Sequence, residues 1–348
     1  MKYLKEKKTS ICPLCSSANG ILLYTVNCEQ AARHFILKER NHEKFCRLVN
    51  KIKKIWNSEI CSVICCKDCL FIYANPFISG DQEFYQLAFE EGGYPQNRWE
   101  FAQTKNTLLN KSLFLNNKSD LSLLEVGAGD GAFIEQVAPD VVELHNITAT
   151  EFSETGIKKM KNKGVSVFNC DINELIERKI ISKQFDIICL FQILEHMDKL
   201  DYFFSNLNKI ASPNSLLFIA VPNEDRIEFN EKNDALLDMP PNHIGRWNKQ
   251  TFKFIGKKFN WELVQYKKEP FNFFFTFDQF VNYRYLRQTQ FNNSVANIIE
   301  RSNIHPSIRS FLKHIKMGMI ILNSIFLIPK MKRKNLGNSQ WVFFRKIG

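Results

Sequence analysis

Residues 123–138 read LLEVGAGDGAFIEQVA and place Gly127, Gly129 and Gly131 within five positions, directly after a short apolar run and with Glu125 just before them. A backbone without Cβ atoms adopts turns that other residues resist, and it lets a ligand approach the main chain closely. The helix expected next offers its unpaired N–H groups to a carboxylate or phosphate. Gly127, Gly129 and Ala132 also satisfy the looser dinucleotide fingerprint GxGxxG/A, so the loop alone leaves two ligand classes open. Glu125 separates them. A carboxylate sits badly beside a pyrophosphate and well beside a ligand bearing an amine and a sulfonium cation. Glu151 closes the next apolar run about 20 residues later, the position from which a carboxylate grips ribose hydroxyls. Asp171 ends a third run, where it can accept a hydrogen bond from an exocyclic adenine amine. Three acids at successive strand ends fit an adenosine that carries a positively charged amino-acid tail.

Cysteine forms the second chemical grouping. Eight of the ten cysteines fall between residues 9 and 80, and Cys12-Pro-Leu-Cys15 and Cys66-Lys-Asp-Cys69 are two CxxC knuckles separated by 50 residues. Two such closely spaced thiolate pairs predict a closed, tetrahedral, structural zinc site with no position left for catalysis. A simple zinc ribbon leaves roughly 15–20 residues between its knuckles, so this one holds an insert. Cys65 competes with Cys66, but only Cys66 completes a knuckle. Cys28, Cys46 and Cys61 lack a partner at that spacing and are expected in the core.

Two histidines are candidate catalytic groups. His196, in LEHM, follows the expected fourth strand on the ligand side and could act as a general base or orient a hydroxyl; alternatively, Glu195 and His196 tie down the next helix. His243, in PPNHIGRW, follows the expected fifth strand. Arg226 and Arg246 could meet a substrate phosphate or carboxylate, although surface arginines usually do nothing so specific.

The elements that must carry these residues are legible in the patterning. In the insert, Phe45, Leu48, Val49, Ile52, Ile55 and Trp56 recur at spacings of three and four, which predicts a helix within about residues 27–60. Residues 75–101 are rich in turn formers and lead into a helical run reaching Asn117. From Leu121 strands and helices alternate: LSLLEV, HNITATE, VSVFNCD, FDIICLF and SLLFIAVPN as strands, with AFIEQVA, SETGIKKMKNKG, NELIERK and LDYFFSNLNKI as helices. Such alternation predicts a parallel, doubly wound α/β sheet. WELVQYK and QWVFFRK supply two further strands, and the aromatic run FNFFFTFDQFVNYRYLRQ between them reads as a helix that packs in the core or walls a substrate.

Composition limits the remaining choices. The chain has 348 residues, 45% of them hydrophobic, 31 of them Phe, and a formal charge of +11; it is a globular chain with an aromatic core. The charge is uneven. Residues 1–60 hold 12 Lys/Arg against 5 Asp/Glu, and residues 301–348 hold 10 against none, so the middle of the chain is mildly acidic and general nucleic-acid binding is disfavoured. The N-terminus has no apolar signal region. The stretch MGMIILNSIFLIP (317–329) is interrupted by Asn323 and Ser324 and is too short for a simple spanning helix. It is expected to be a buried helix, with a membrane-surface helix beside Lys330, Lys332, Arg333 and Lys334 as the alternative. A cytoplasmic location follows, and with it reduced thiols.

The loop LLEVGAGDG, the acids ending the second and third strands, the segment FDIICLFQILEHMDK and the closing strand SLLFIAVPN together resemble the class I S-adenosylmethionine-dependent methyltransferases. The resemblance covers roughly residues 95–270 and the final strand. It is closest to small-molecule methyltransferases with an N-terminal zinc-binding module, in which paired CxxC knuckles precede an Asn-Pro turn, as Cys66–Cys69 precede Asn75-Pro76 here.

That likeness implies a Rossmann-like seven-stranded sheet whose last strand, QWVFFRK, runs antiparallel. It implies a zinc module over residues 1–80, a helical linker or cap over 81–120, a cofactor-binding core over 121–270, and a helical aromatic-rich region with the final strand over 271–348. Gly127, Ala128, Gly129 and Gly131 would line the methionine part of S-adenosylmethionine; Glu151 would hold the ribose with Phe152 beside it; Asp171 and Ile172 would flank adenine; Phe191 and Gln192 would close the pocket. The acceptor expected is a small molecule such as a nucleotide sugar or another biosynthetic intermediate, methylated on O, N or C. An RNA methyltransferase and a non-catalytic scaffold with a degenerate cofactor fold are the alternatives. One departure is noted: where the family usually has a PGG turn, this chain reads Ser212-Pro213-Asn214-Ser215, and Asn also tolerates turn conformations.

Overall fold

The structure, a computed structural model, describes residues 6–8, 10–89, 94–110, 120–181, 183–235 and 240–347. Among these residues the strands in chain order are β1 (Glu6–Lys8), β2 (Gly20–Asn27), β3 (Ile60–Cys66), β4 (Ile72–Asn75), β5 (Leu123–Val126), β6 (Ile147–Thr150), β7 (Ser166–Phe168), β8 (Phe185–Phe191), β9 (Ala211–Pro222), β10 (Gly245–Arg246), β11 (Trp261–Lys268) and β12 (Ser339–Lys346). They form two sheets in two compact units. One unit comprises Met1–Glu91, Pro222–Arg246 and Pro270–Asn338; the other comprises Gly92–Val221, Trp247–Glu269 and Ser339–Gly348.

The second unit is the doubly wound α/β layer that the alternation predicted. Its sheet runs in the order β11-β12-β9-β8-β5-β6-β7. Strands β6, β7, β8 and β9 extend the sheet on either side of β5 in parallel ladders, and β11 pairs antiparallel with β12. Strand order reverses at β5, which lies between β6 and β8, so the carboxyl ends of β5 and β8 flank the crevice where such sheets bind ligands. β5 and β6 are buried at every position, as strands covered on both faces require. Leu123, Phe133, Ile147, Ile187, Phe218 and Trp341 lie at the centre of that core.

The helix expected up to Asn117 is seen as Trp99–Leu108; residues 111–119 lie outside the described residues. Strand β9 begins four residues before the expected start, at Ala211. The Ser212 hydroxyl donates to Phe185 O and Asp186 Oδ1, both at 3.0 Å, and this holds the SPNS segment on the sheet. Asn214 takes the left-handed conformation, φ +62°, that the family's glycine turn would have supplied without strain.

In the first unit β1, β2, β3, β4 and β10 form a sheet in that order, antiparallel throughout. The insert between β2 and β3 contains the helices Cys28–Ala32 and His42–Trp56, and Phe45, Leu48, Ile52 and Trp56 face the core as the spacing predicted. Asn27 and Asn41 cap these helices. The same unit holds the aromatic helix Phe273–Thr289, the short helix Val295–Arg301 and the helix Pro306–Leu322. They pack around Val281, Tyr285, Ala296 and Ile320, and Arg40 on the insert pairs with the buried Glu300 at 2.8 Å.

One expectation is overturned here. The 317–329 stretch is not a buried helix. Its residues end the helix Pro306–Leu322 and continue through a 3₁₀ turn, Ile325–Leu327. Only Ile320, Ser324 and Leu327 of the stretch are buried, while Met319, Leu322, Ile325 and Phe326 are exposed. A helix against one flat layer can bury only one stripe of side chains, and this segment is apolar over more than one stripe.

Candidate functional site

The loop after β5 is built on three left-handed residues: Gly127, Gly129 and Gly131 have φ of +69°, +58° and +83°. L-residues are strained there, and space is also short. A Cβ at Gly129 would stand 2.9 Å from the Tyr94 ring, and one at Gly131 would stand 2.9 Å from Met160 Cγ. The loop is stitched to β6, with Gly127 N–H donating to Thr150 Oγ1 (3.3 Å) and Ala128 N–H to Thr150 O (3.0 Å).

Carboxylates gather at this bend. Glu125 is the third residue of β5 and is fully buried; its Oε2 has no hydrogen-bond partner among the described residues. Loss of water pushes its carboxyl well above the usual range, and the negative charges of Glu151 and Asp130 push it the same way. Glu151 follows β6. Its Oε2 accepts from Gly129 N–H at 2.7 Å, and its Oε1 accepts from Phe152 N–H (2.9 Å), Ser153 N–H (2.7 Å) and the Tyr94 hydroxyl (3.4 Å). Burial raises the Glu151 carboxyl, opposed by those N–H groups. Asp130 accepts from Gln96 Nε2 at 2.7 Å and pairs with Lys159 at 3.3 Å.

The remaining residues expected at the site fall as follows. Asp171 caps the helix Ile172–Glu177, its Oδ1 accepting from Glu174 N–H at 2.8 Å. Ile172 is buried and Phe152 is 58% exposed. Phe191 ends β8 buried against Phe101 and Phe133, with ring centroids 5.1 and 4.8 Å away. Gln192 follows in the left-handed region (φ +58°), and its amide donates to Glu100 Oε1 and Ser339 Oγ at 3.1 and 3.2 Å. His196 ends a 3₁₀ turn, Leu194–His196, with Nε2 3.9 Å from Glu195 Oε1. His243 lies in the other unit, on the segment entering β10. Arg226 and Arg246 are not open to a ligand. Arg226 is buried and donates to Gln279. Arg246 makes a buried fork to Glu231 (2.6 and 2.8 Å) and bonds the Tyr24 hydroxyl at 2.6 Å.

Sequence reasoning missed three supports of the loop. Gly156 allows Gly129 O to approach: a Cβ there would lie 2.2 Å from that carbonyl. Tyr94 lies across Gly129, and Ser153 caps the helix Glu154–Asn162. The signals were a lone glycine in SETG and an aromatic residue in the turn-rich GGYPQ segment.

The four knuckle cysteines converge. Cys12 Sγ is 3.6 Å from Cys69 Sγ, Cys15 Sγ is 3.5 Å from Cys66 Sγ, and all four sulfurs lie within 4.8 Å of one another. A tetrahedral zinc with bonds of about 2.3 Å sets its sulfurs roughly 3.8 Å apart, so the donor set fits. The two knuckles also share one backbone pattern. Ser16 N–H donates to Cys12 O and Leu70 N–H to Cys66 O, while Cys12 N–H donates to Ser17 O and Cys66 N–H to Phe71 O. Ser16 and Leu70, each following a second cysteine, are both left-handed at φ +60° and +62°. The Cys69 thiol donating to Cys12 holds Cys12 down at about 5, which favours the thiolate.

Residues 98–266 match the family profile described as a methyltransferase domain. A ubiquinone biosynthesis O-methyltransferase of Pelagibacter ubique is 28% identical over 113 residues, covering 30% of this chain and 43% of that protein. The Rickettsia conorii protein of the same name is 27% identical over 112 residues, covering 32% and 38%. The chain therefore spans less than half the length of these curated relatives. A methyltransferase structure from Archaeoglobus fulgidus, described as SAM-dependent, covers 71% of this chain and 94% of its own, with 18% identity and a TM-score of 0.44. Strands β5 to β9 of the sheet and the left-handed glycine loop fall within residues 98–266, the segment that matches the methyltransferase-domain profile.

Proposed function

We propose that the protein transfers a methyl group from S-adenosylmethionine to an oxygen, nitrogen or carbon nucleophile on a small molecule, a nucleotide sugar or another biosynthetic intermediate. The observation that carries this reading is Glu125, a buried carboxylate with an unpartnered oxygen beneath three left-handed glycines at the switch point of the sheet. A carboxyl in that state gives up its charge unless a cation comes to it. The cofactor's amine and sulfonium supply one, and a pyrophosphate does not.

When bound, S-adenosylmethionine supplies a methyl group already activated by positive sulfur. The chain's own residues hold and orient. Gly127, Ala128, Gly129 and Gly131 line the methionine part, with Glu125 behind them. Glu151 takes the ribose beside Phe152: its two oxygens offer about four lone-pair positions, and the Gly129 N–H occupies only one on Oε2. Asp171 and Ile172 flank adenine, with Phe191 and Gln192 at the closing edge. Holding an acceptor on the axis of displacement provides much of the rate. His196 or His243 serves as general base if the acceptor arrives protonated. Cys12, Cys15, Cys66 and Cys69 hold a structural zinc, and their reduced state suits the cytoplasm. In this reading residues 1–80 are the zinc module, 81–120 the cap, 121–270 the cofactor core, and 271–348 the helical region with the last strand. The names of the curated relatives support an oxygen acceptor on a small molecule.

The test is incubation with methyl-labelled S-adenosylmethionine and a panel of nucleotide sugars, quinone precursors, cell-extract metabolites and RNA. Label is expected in a small-molecule product at a rate that tolerates salt. Label confined to RNA, with activity falling steeply as salt rises, overturns the small-molecule reading. Failure to bind S-adenosylmethionine at all overturns the enzyme reading.

A further inference from the structure

We propose that the helix Pro306–Leu322, with the turn that follows it, docks the protein on an anionic lipid surface. Ile308, Phe311, Ile315, Met319 and Leu322 recur at spacings of three and four, and Phe326 continues the series past the break. These six side chains are 47–69% exposed. The opposite face of the helix, at Ile320, packs against Val281, Tyr285 and Ala296. The exposed stripe is thus a true outer face of a three-helix layer, set there by the buried one. An apolar stripe of this length on a soluble surface marks an interaction site.

Charge selects the occupant. Residues 301–338 carry eight Lys/Arg and no Asp/Glu, and Lys330, Lys332, Arg333 and Lys334 stand exposed directly after the apolar turn. A second copy of the chain would bring the same positive field to the same face, which opposes association. Nucleic acid would meet the charges and leave the aliphatic stripe unsatisfied. An anionic bilayer satisfies both: acyl chains take the Phe, Ile and Leu side chains, and headgroups take the Lys and Arg side chains. Among the described residues no single helix is long and apolar enough to cross a membrane, and the bent pair Pro306–Leu322 and Ile325–Lys332 breaks by 43°. A helix of this kind lies in the plane of the interface.

The experiment is co-sedimentation of the full chain with vesicles of phosphatidylcholine alone, or of phosphatidylcholine with phosphatidylglycerol. Binding is expected on the anionic vesicles and is expected to weaken as salt shortens the Debye length. Phe311→Ser with Leu322→Ser should reduce partitioning at least about tenfold, because two large apolar side chains leave the bilayer. Lys330→Gln with Arg333→Gln should also reduce it, and all four sites are exposed, so thermal melts should match the parent. Equal binding to neutral vesicles, or full binding by the Phe311→Ser/Leu322→Ser protein, overturns the proposal. So does a concentration-dependent dimer that Phe311→Ser abolishes while vesicles go unbound. Docking is read without methyl transfer, so its failure and that of the enzymatic assignment are separable.

Discussion

Replacing Glu125 by Gln should make the cofactor-free protein more stable and its cofactor binding weaker. In the free protein the carboxylate is fully buried, one oxygen has no partner among the described residues, and Glu151 and Asp130 add repulsion. A buried polar atom left unpaired costs about 1–3 kcal/mol, and more when charged. The neutral isostere keeps an uncharged polar atom there but removes the charge and its repulsion from Glu151 and Asp130. For a unit of about 160 residues, each 1 kcal/mol moves the melting temperature by roughly 2–4 °C, so a rise of about 2–12 °C is expected at pH values where the parent carboxyl is charged. The pH dependence has a definite sign. The folded-state pKa lies above the unfolded one, so this carboxyl's contribution is fully present below the unfolded carboxyl value and is lost as pH rises through the folded value. The parent should lose stability across that window, and Glu125→Gln should flatten the slope. Binding moves the other way. Losing a charge-assisted contact worth about 1.5–3 kcal/mol should weaken S-adenosylmethionine by roughly 10- to 150-fold. Differential scanning calorimetry over pH, with titration calorimetry at neutral pH, reads both quantities. A less stable Gln protein with unchanged affinity would refute the reasoning, because Glu125 would then belong to a structural network.

Other expectations follow from the same geometry. Gly156→Ala should reduce cofactor affinity at least about tenfold, since its Cβ meets Gly129 O at 2.2 Å and displaces the loop by steric overlap; titration calorimetry checks it, and an unchanged Kd contradicts it. Cys66→Ser should abolish stoichiometric zinc in a metal assay of the purified protein and lower its melting temperature, because a structural site contributes directly to folding. Unchanged zinc content would mean that other ligands hold the metal. Arg246→Met should destabilise by about 3–5 kcal/mol by stranding the buried Glu231. A paired Arg246→Met/Glu231→Leu protein should recover most of that loss in urea melts, and no recovery would show that the charges do more than satisfy each other.

The α/β unit was largely legible because its signals are local. Gly127, Gly129 and Gly131 announce positive φ, and the strand–helix alternation announces the sheet around them. Strand ends were less legible. Ser212 and Asn214 look like a loop in sequence, yet two hydroxyl contacts and one left-handed residue carry β9 back to Ala211. Around the knuckles, attention to the helical period hid β2 and β3, although β2 alternates buried and less buried positions along Gly20–Asn27. The structural role of Arg246 was not legible in sequence, because its partners Tyr24 and Glu231 are distant along the chain. The exposed face of Pro306–Leu322 stood in sequence only as the alternative to burial, for the opposite reason. Apolar residues argue for burial on average, and nothing in the local pattern says that the opposite stripe already fills the core.

The most direct test of the cofactor site is titration calorimetry of the parent protein and of Gly129→Val with S-adenosylmethionine. The parent should bind one equivalent, and the variant, whose Cβ branches would enter the bend at a left-handed position against Tyr94, should show no saturable heat. A parent that does not bind, or a variant that binds as the parent does, would contradict the assignment of that bend.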